Sequence, residues 1–231
     1  MGSRIREVLP IPAPTTSAST IRVMTTTPMN TTLDELIHDC WVRLTRAVRD
    51  RRHPWRLPVL ATVDREGAPA ARTVVLREVM REAAVLGCHT DRRSPKIEEI
   101  RADPRVAWTF YDPGSKLQVR ARGRATVHLA ADEDPIALGR WAETSLPSRR
   151  CYLAPHVPGT ACDVPSPNLP DALTSRNPDA AESEAGRVNF AVLRTRVERF
   201  DVLALHAAGH ERAAFEFDEA GQVVRSTWLE P

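Results

Sequence analysis

Short extended segments separated by turn signals recur along the chain, and this alternation limits the fold more than any other feature. Neighbouring segments are divided by glycine-containing turns at 64–67, 207–210 and 218–221, as in hairpins. Many short strands with few helices predict a mainly β protein with flanking helices, and they favour a closed antiparallel barrel over a parallel sheet. The predicted extended segments are 58–63, 71–79, 83–90, 105–111, 117–129, 188–205, 212–217 and 223–229.

Two longer helices are expected beside these strands. Thr32 to Glu35 has the capping-box pattern, and apolar residues follow at helical spacing as far as Val48. This pattern predicts an amphipathic helix that packs one stripe of side chains on a core. A second helix is predicted from Asp132 to about Thr144.

The remaining segments divide the chain. Residues 1–30 are rich in Ser, Thr and Pro and are interpreted as a disordered N-terminal extension. Residues 31–231 are assigned to one domain. Within it, the segment 145–187 contains seven prolines and little periodicity, so it is predicted to be a long loop or lid.

Composition excludes several classes of protein. A net charge of +2 does not indicate a polyanion-binding protein, and no apolar run approaches the length of a membrane span. The four cysteines form no CxxC pair, so we expect reduced thiols in a cytoplasmic protein. A zinc site from Cys151, His156 and Cys162 is an alternative, but this spacing matches no common ligand pattern. We therefore expect no metal, no nucleic acid and no membrane as partners.

The stretch TDRRSPKIEEI, residues 90–100, places cations where a helix begins. Ser94 has the position of an N-cap and Pro95 that of the first helical residue, with Arg92, Arg93 and Lys96 around them. Positive charge is mildly unfavourable at the positive end of a helix dipole. A phosphate bound by the free N–H groups, the hydroxyls and the cations would explain the arrangement. A solvated basic turn is the alternative.

Two further polar groups interrupt apolar strands. Arg72 and Arg77 bracket a β-branched run, and strict alternation would send them to opposite faces, so both can serve one ligand only if the strand bends. In a later strand, Gln118, Arg120, Arg122 and Arg124 share one face. That face could be exposed to solvent, lie in a dimer interface, or bind an anion.

The order of these groups resembles a known family. LPVLATVDREGAPAARTVVLREV, then GCHTDRRSPKIEEIRADPRVAWTFYDP, then KLQVRARGRATVHL are similar to the FMN-binding split-barrel family of pyridoxine/pyridoxamine 5′-phosphate oxidases, in its branch of oxidase-related FMN-binding proteins. The resemblance covers about residues 33–130, and 188–231 more loosely. It implies an antiparallel split β-barrel that forms a homodimer, with FMN in clefts at the subunit interface.

The resemblance also implies a set of cofactor-binding residues. The segment from Arg72 to Arg77 would run along the flavin and its phosphate. Because Pro95 replaces the arginine of the family's Ser-Arg-Lys phosphate clamp, Arg92 or Arg93 would supply the missing charge. Gln118 would approach the flavin ring from the neighbouring subunit. The residues implied are Arg72, Thr73, Val74, Val75, Arg77, His89, Thr90, Ser94, Lys96 and Gln118.

Two departures from the family pattern argue against the namesake oxidation. Leu146 stands between Ser145 and Pro147, where the oxidases have an arginine for the substrate phosphate, and Arg149 or Arg150 would compensate. The Arg-x-His motif near the C-terminus is matched imperfectly, by His210-Glu-Arg212. Arg149, Arg150 and Arg212 are therefore the candidate substrate residues, and no catalytic acid or base is assigned.

The function implied is that of an FMN-dependent oxidoreductase in which the flavin transfers hydride or electrons. One alternative is a non-catalytic flavin, deazaflavin or haem binding protein on the same barrel. Another is a small barrel that binds single-stranded nucleic acid through its arginine face. Such modules interleave aromatic residues for base stacking, and the face of residues 118–124 has none.

Overall fold

The computed structural model describes residues 32–207 and 209–231, so the predicted disordered extension at 1–30 lies outside the described residues. The first helix begins at Thr32, which forms the expected capping box with Glu35. The predicted second helix is shorter than expected, because Asp134 caps it and Pro135 occupies its first position. The helices are α1 Leu33–Arg49, α2 Pro95–Ala102, α3 Pro135–Glu143, α4 Leu146–Arg149 and α5 Ala180–Glu184.

The strands in the described part of the chain form a single antiparallel sheet, which confirms the mainly β class. Its strands are β1 Val59–Val63, β2 Pro69–Thr73, β3 Leu76–Met80, β4 Val85–Asp91, β5 Arg105–Asp112, β6 Leu117–Leu129, β7 Phe190–Ala204, β8 Glu211–Phe217 and β9 Val223–Leu229. They follow the order β2-β1-β5-β6-β7-β4-β3, and β8 pairs with both β7 and β9.

The sheet divides at the long strand β7. Residues 190–196 of this strand pair with β4, whereas residues 199–204 pair with β8, and β6 runs along the opposite side of both halves. The antiparallel split barrel that the resemblance implies is therefore confirmed, whereas the closed barrel favoured by the strand pattern alone is wrong. The physical reason is that β7 has two different neighbours on one side, so the sheet forks instead of joining edge to edge.

The predicted strand 71–79 is also wrong as a single element. It is two strands, because β2 pairs with β1 while β3 pairs with β4 at the other end of the sheet. Val74 and Val75 lie between them, outside any strand. This break resolves the difficulty of alternation, since Arg72 and Arg77 belong to different strands.

The core lies between α1 and one face of the sheet. Trp41 of α1 packs its ring against Phe200 of β7 and Phe217 of β8, with ring centroids 4.9 and 5.9 Å away. On β6, Val119 and Ala121 point into this core, while Arg120 and Arg122 point outward, as the alternation predicted. The outward face of the sheet is therefore polar along β6.

The proline-rich segment is attached to the sheet rather than extended away from it. Tyr152 is buried against Phe190 and Trp141, with ring centroids 5.0 and 5.9 Å away. The short helices α4 and α5 lie within the segment, and Asp179 caps α5 through a capping box. None of the helices in residues 32–207 and 209–231 is long and apolar enough to cross a membrane.

Gly123 allows β6 and β7 to approach closely at an irregularity in their register. A Cβ atom at this position would lie 2.0 Å from the carbonyl oxygen of Arg196. We expect Gly123→Ala to lower the free energy of unfolding by about 2 kcal/mol, the range for forcing extra volume into a packed site.

Urea denaturation measures this effect, and Gly139→Ala is the matched control. Gly139 lies inside α3 with nothing within 4 Å of its added Cβ, so its replacement should stabilise the protein by about 0.5–1 kcal/mol. A Gly123→Ala protein as stable as the unaltered protein would contradict the close approach of β6 and β7.

Candidate functional site

A cluster of polar side chains forms where β4 ends and α2 begins. The Lys96 ammonium donates to Thr90 Oγ1 at 3.0 Å and to Ser94 Oγ at 2.5 Å. Ser94 is the N-cap of α2, as predicted, but its hydroxyl makes no capping hydrogen bond. The hydroxyl therefore faces the lysine and not the helix, which gathers two hydroxyls and an ammonium beside the first turn of α2.

Arg72 approaches the same place from β2. Its Nη2 donates to Glu99 Oε2 of α2 at 2.8 Å, and its Nη1 donates to the hydroxyl of Thr62. The charges of Arg72 and Lys96 both act on the buried thiol of Cys88, whose pKa burial raises to about 12 while the two cations oppose that rise. The two cations therefore converge from different elements.

Burial and the nearby charge of Arg72 both affect Lys96. Burial lowers the pKa of its ammonium below the ordinary value, and the positive charge of Arg72 acts in the same direction. An anion placed between the two cations would relieve this repulsion. Cations, hydroxyls and a helix N-terminus are the groups that proteins use to bind phosphate, so we name Arg72, Thr90, Ser94 and Lys96 the anion site.

Of the two arginines in the preceding loop, Arg93 is paired with other groups. Arg93 donates to both carboxylate oxygens of Asp91, at 2.9 and 2.6 Å, and to the carbonyl oxygen of Ala154 at 3.0 Å. Its charge is therefore neutralised locally. Arg92 is exposed, and its backbone N–H donates to Asn189.

A second group of polar residues lines a cavity of about 210 Å³ between the sheet and the end of α3. Burial lowers the pKa of His89 to about 4, and the positive charges of Arg77 and Arg140 add to this effect. The imidazole is therefore neutral at physiological pH, and it packs edge-on against Phe190 at 4.9 Å. The lining residues are Arg77, His89, Arg140, Glu143, Thr144, Ser145 and Ser148.

Glu78 holds Arg140 at the edge of this cavity. Its carboxylate is 4% exposed and accepts hydrogen bonds from Arg140 and from Arg194, the latter through two bonds of 2.8 and 2.7 Å. Burial by itself would raise the pKa of Glu78, but the bonds from Arg194 and Arg140 prevail and hold the pKa below its ordinary value. Glu78 reaches Arg194 across Gly87, where any Cβ would lie 3.0 Å from its side chain.

The other predicted residues are distributed over the fold. Thr73 is the last residue of β2, and Val74 and Val75 connect that strand to β3, which carries Arg77. Gln118 lies on the outward face of β6, opposite Tyr111 of β5 and Leu203 of β7.

The three candidate substrate arginines are bonded elsewhere and do not line the cavity. Arg149 donates to the carbonyl oxygens of Trp141 and Thr144 at the end of α3, and its guanidinium stacks on the Trp141 ring at 4.6 Å. Arg150 donates to the carbonyl oxygen of Arg176 at 3.2 Å, and Arg212 pairs with Asp201 at 2.8 Å.

Sequence reasoning missed five residues that contact these groups. Charged residues inside an otherwise apolar strand pattern were a signal that Glu78 has a special role. The sequence around the other four residues does not indicate where they lie in the fold. Their contacts join separate elements of the fold, which a pattern along one strand or helix does not reveal. The residues are Thr62, Glu78, Glu99, Arg140 and Arg194.

Comparison with known proteins finds similarity over the part of the chain that carries the anion site. Residues 38–129 match the family model described as pyridoxamine 5′-phosphate oxidase, FMN-binding domain. Pyridoxine/pyridoxamine 5′-phosphate oxidase 2 of Arabidopsis thaliana is 36% identical over 110 residues, which are 45% of this chain and 54% of that protein. The oxidase of Anaeromyxobacter dehalogenans is 34% identical over 101 residues, 44% of this chain and 50% of that protein. The chain thus spans about half the length of these curated relatives.

Solved structures share the fold over most of the chain. A pyridoxamine 5′-phosphate oxidase-related FMN-binding protein of Nostoc punctiforme superposes with a TM-score of 0.67 at 24% identity, covering 84% of this chain and 96% of that one. PhzG of Burkholderia lata, with a TM-score of 0.59 at 17% identity, covers 85% of this chain and 91% of that one. Residues 38–129 thus correspond to the FMN-binding domain of the pyridoxamine 5′-phosphate oxidases, and the fold of the chain is that of an oxidase-related FMN-binding split-barrel protein.

Proposed function

We propose that this protein is an FMN-dependent oxidoreductase that works as a homodimer and holds the FMN phosphate in the anion site. The observation that carries the proposal is the Lys96 ammonium bonded to two hydroxyls at the start of α2, with the positive charge of Arg72 close enough to act on the same ammonium. Burial, and after it the charge of Arg72, lowers the pKa of the half-buried Lys96 ammonium, and a bound anion would offset both effects.

The donor set fits a phosphate monoester. Lys96 and Arg72 supply charge, while Thr90 and Ser94 supply hydroxyls that donate or accept. The first turn of α2 adds its backbone N–H groups and the positive end of the helix dipole. The connection Thr73–Val75 leads from the anion site toward Arg77, and we assign it to the edge of the flavin ring.

We assign the cavity beside His89 to the substrate. Bound FMN would supply hydride or electron transfer, while the protein binds and orients the substrate. Arg77 and Arg140 favour an anionic group, and neutral His89 can donate or accept one hydrogen bond. Arg140, held by Glu78, takes the place that the sequence had suggested for Arg149 or Arg150.

The dimer is proposed from the outward face of the sheet. Gln118 and Arg212 lie on that face, where Val59 and Tyr111 are 39% and 45% exposed. A second copy covering the face would bury these side chains and bring its Gln118 toward the flavin. Light scattering after size-exclusion chromatography should give twice the 25.7 kDa of one chain, and a monomer at micromolar concentration would contradict the dimer.

Titration with FMN, followed by flavin fluorescence, tests the cofactor assignment. We expect saturable binding, a flavin absorbance band at about 450 nm, and bleaching of that band by a suitable reductant. A protein that does not bind FMN would refute the assignment. A bound flavin that neither nicotinamide donors nor candidate substrates reduce would favour the non-catalytic binding protein. We place the protein in the cytoplasm because Cys40 and Cys88 are buried free thiols.

A further inference from the structure

A buried carboxylate lies within reach of the anion site. The Glu99 residue is 9% exposed, and its Oε2 accepts from Arg72 Nη2 at 2.8 Å and from the Thr62 hydroxyl at 2.5 Å. Arg72 also donates to Thr62 and to the carbonyl oxygen of Ala70 at 3.2 Å. These side chains form a closed triangle of hydrogen bonds that holds the guanidinium in one orientation.

The triangle leaves donors of Arg72 for a ligand. Its bonds use both N–H groups of Nη1 and one of Nη2, and a guanidinium carries a further N–H on Nη2 and one on Nε. A phosphate could therefore bind Arg72 without displacing Glu99. In that arrangement the arginine lies between two anions and is shared by them.

The net positive charge near the proposed phosphate position is consequently smaller than the number of cations alone suggests. Arg72 and Lys96 contribute two positive charges, Glu99 removes one, and the Arg93–Asp91 pair contributes none. A phosphate monoester carries close to two negative charges at neutral pH. Glu99 reduces the positive charge available to the phosphate, and its own negative charge repels the phosphate. Because the Arg72–Glu99 pair is partly buried, solvent and salt screen this repulsion only weakly.

We propose that Glu99 limits the affinity of this protein for FMN by partly neutralising Arg72 and by repelling the phosphate that Arg72 would bind. The inference rests on the proposed FMN site and adds a residue that sets how strongly the phosphate is held. A carboxylate whose only effect were to orient Arg72 would strengthen binding, so the two roles predict opposite signs.

Glu99→Gln separates the two roles, because glutamine keeps an acceptor for Arg72 and removes the charge. The readout is the ratio of the dissociation constants of riboflavin and FMN, which isolates the phosphate since the two flavins share the same ring. We expect Glu99→Gln to raise this ratio about tenfold by tightening FMN alone, equivalent to about 1.4 kcal/mol. Both constants are measured by quenching of flavin fluorescence on the full chain.

Glu98→Gln is the matched control. Glu98 is the neighbouring residue on α2, but its side chain is 51% exposed and pairs with Arg65 and Arg101, so the ratio should not change. Glu99→Asp retains the charge, and the ratio should stay within about twofold of the original. If the glutamine variant does not fold, Glu99→Met supplies a second neutral side chain of similar volume, for which we also expect a raised ratio.

The outcomes distinguish the role of Glu99 from the proposed FMN phosphate site on which it rests. An unchanged or lowered ratio in a folded neutral variant would overturn the role of Glu99. If the original protein binds riboflavin as tightly as FMN, the phosphate assignment itself fails. If the ratio is high and falls in Lys96→Ala but does not rise in Glu99→Gln, only the inference about Glu99 fails.

Discussion

Replacing Lys96 and Arg72 together with alanine is expected to remove the advantage of FMN over riboflavin. Each cation would make charge-assisted hydrogen bonds to the phosphate, and such bonds contribute about 1.5–3 kcal/mol each. Lys96→Ala alone should therefore weaken FMN binding by about tenfold to a hundredfold, and the double variant by about a thousandfold. Riboflavin should bind the original and altered proteins with similar affinity, because it carries no phosphate.

Lys116→Ala is the control for this experiment. Lys116 is the other lysine in the chain and is exposed in the turn between β5 and β6. Its replacement should leave both dissociation constants unchanged. Circular dichroism of the double variant is needed as well, because removing Arg72 leaves the buried Glu99 without its ion-pair partner. A folded double variant that still prefers FMN by the original factor would show that the phosphate binds elsewhere.

Glu78→Ala should produce the largest loss of stability among these substitutions. It would leave Arg140 and Arg194 without the carboxylate that joins them, and their side chains are only 30% and 22% exposed. Removing one partner of a buried ion pair costs about 3–5 kcal/mol, and we expect a value near the lower limit because the arginines retain some solvent. Urea denaturation measures the change in the free energy of unfolding.

The stabilisation by Glu78 should depend on pH in a defined direction. Its pKa in the folded protein is below the ordinary value of 4.5, so the unfolded chain takes up a proton before the folded protein does. The contribution of Glu78 to the free energy of unfolding is therefore complete above the pKa of the unfolded chain. It is lost as pH falls through the pKa of the folded protein. The difference in melting temperature between the original protein and Glu78→Gln should be constant near neutral pH and should narrow below about pH 4.5.

Glu143→Gln serves as the comparison for both measurements. Glu143 also pairs with Arg140, at 2.7 Å, but its side chain is 69% exposed. A surface ion pair of this kind contributes about 0–1 kcal/mol, so the variant should retain nearly the original stability and its pH dependence. Equal losses in the Glu78 and Glu143 variants would contradict the burial of the Glu78 network.

The sequence determined the local elements and the order of the motifs. The capping box at Thr32, the N-cap at Ser94 and the alternation from Gln118 to Arg124 each depend on residues close together in the chain, so their consequences can be read without the fold. The mainly β class and the resemblance of residues 38–129 to an FMN-binding domain follow from the same local information. The hydroxyls and the lysine of the anion site lie within seven residues and were also predictable, although their role as ligands is a proposal.

Only the tertiary structure decided which charges remain available for a ligand. Asp91 neutralises Arg93, and Arg149 donates to a carbonyl oxygen at the end of α3. Arg72 forms an ion pair with Glu99, which lies on another element. The sequence around an arginine does not indicate whether its side chain is ion-paired, because strand pairing and helix packing determine which residue lies beside it. The break between β2 and β3 is decided in the same way, since the two strands hydrogen-bond to different neighbours at opposite ends of the sheet. The electrostatics of the site are thus a property of long-range contacts that no local pattern encodes.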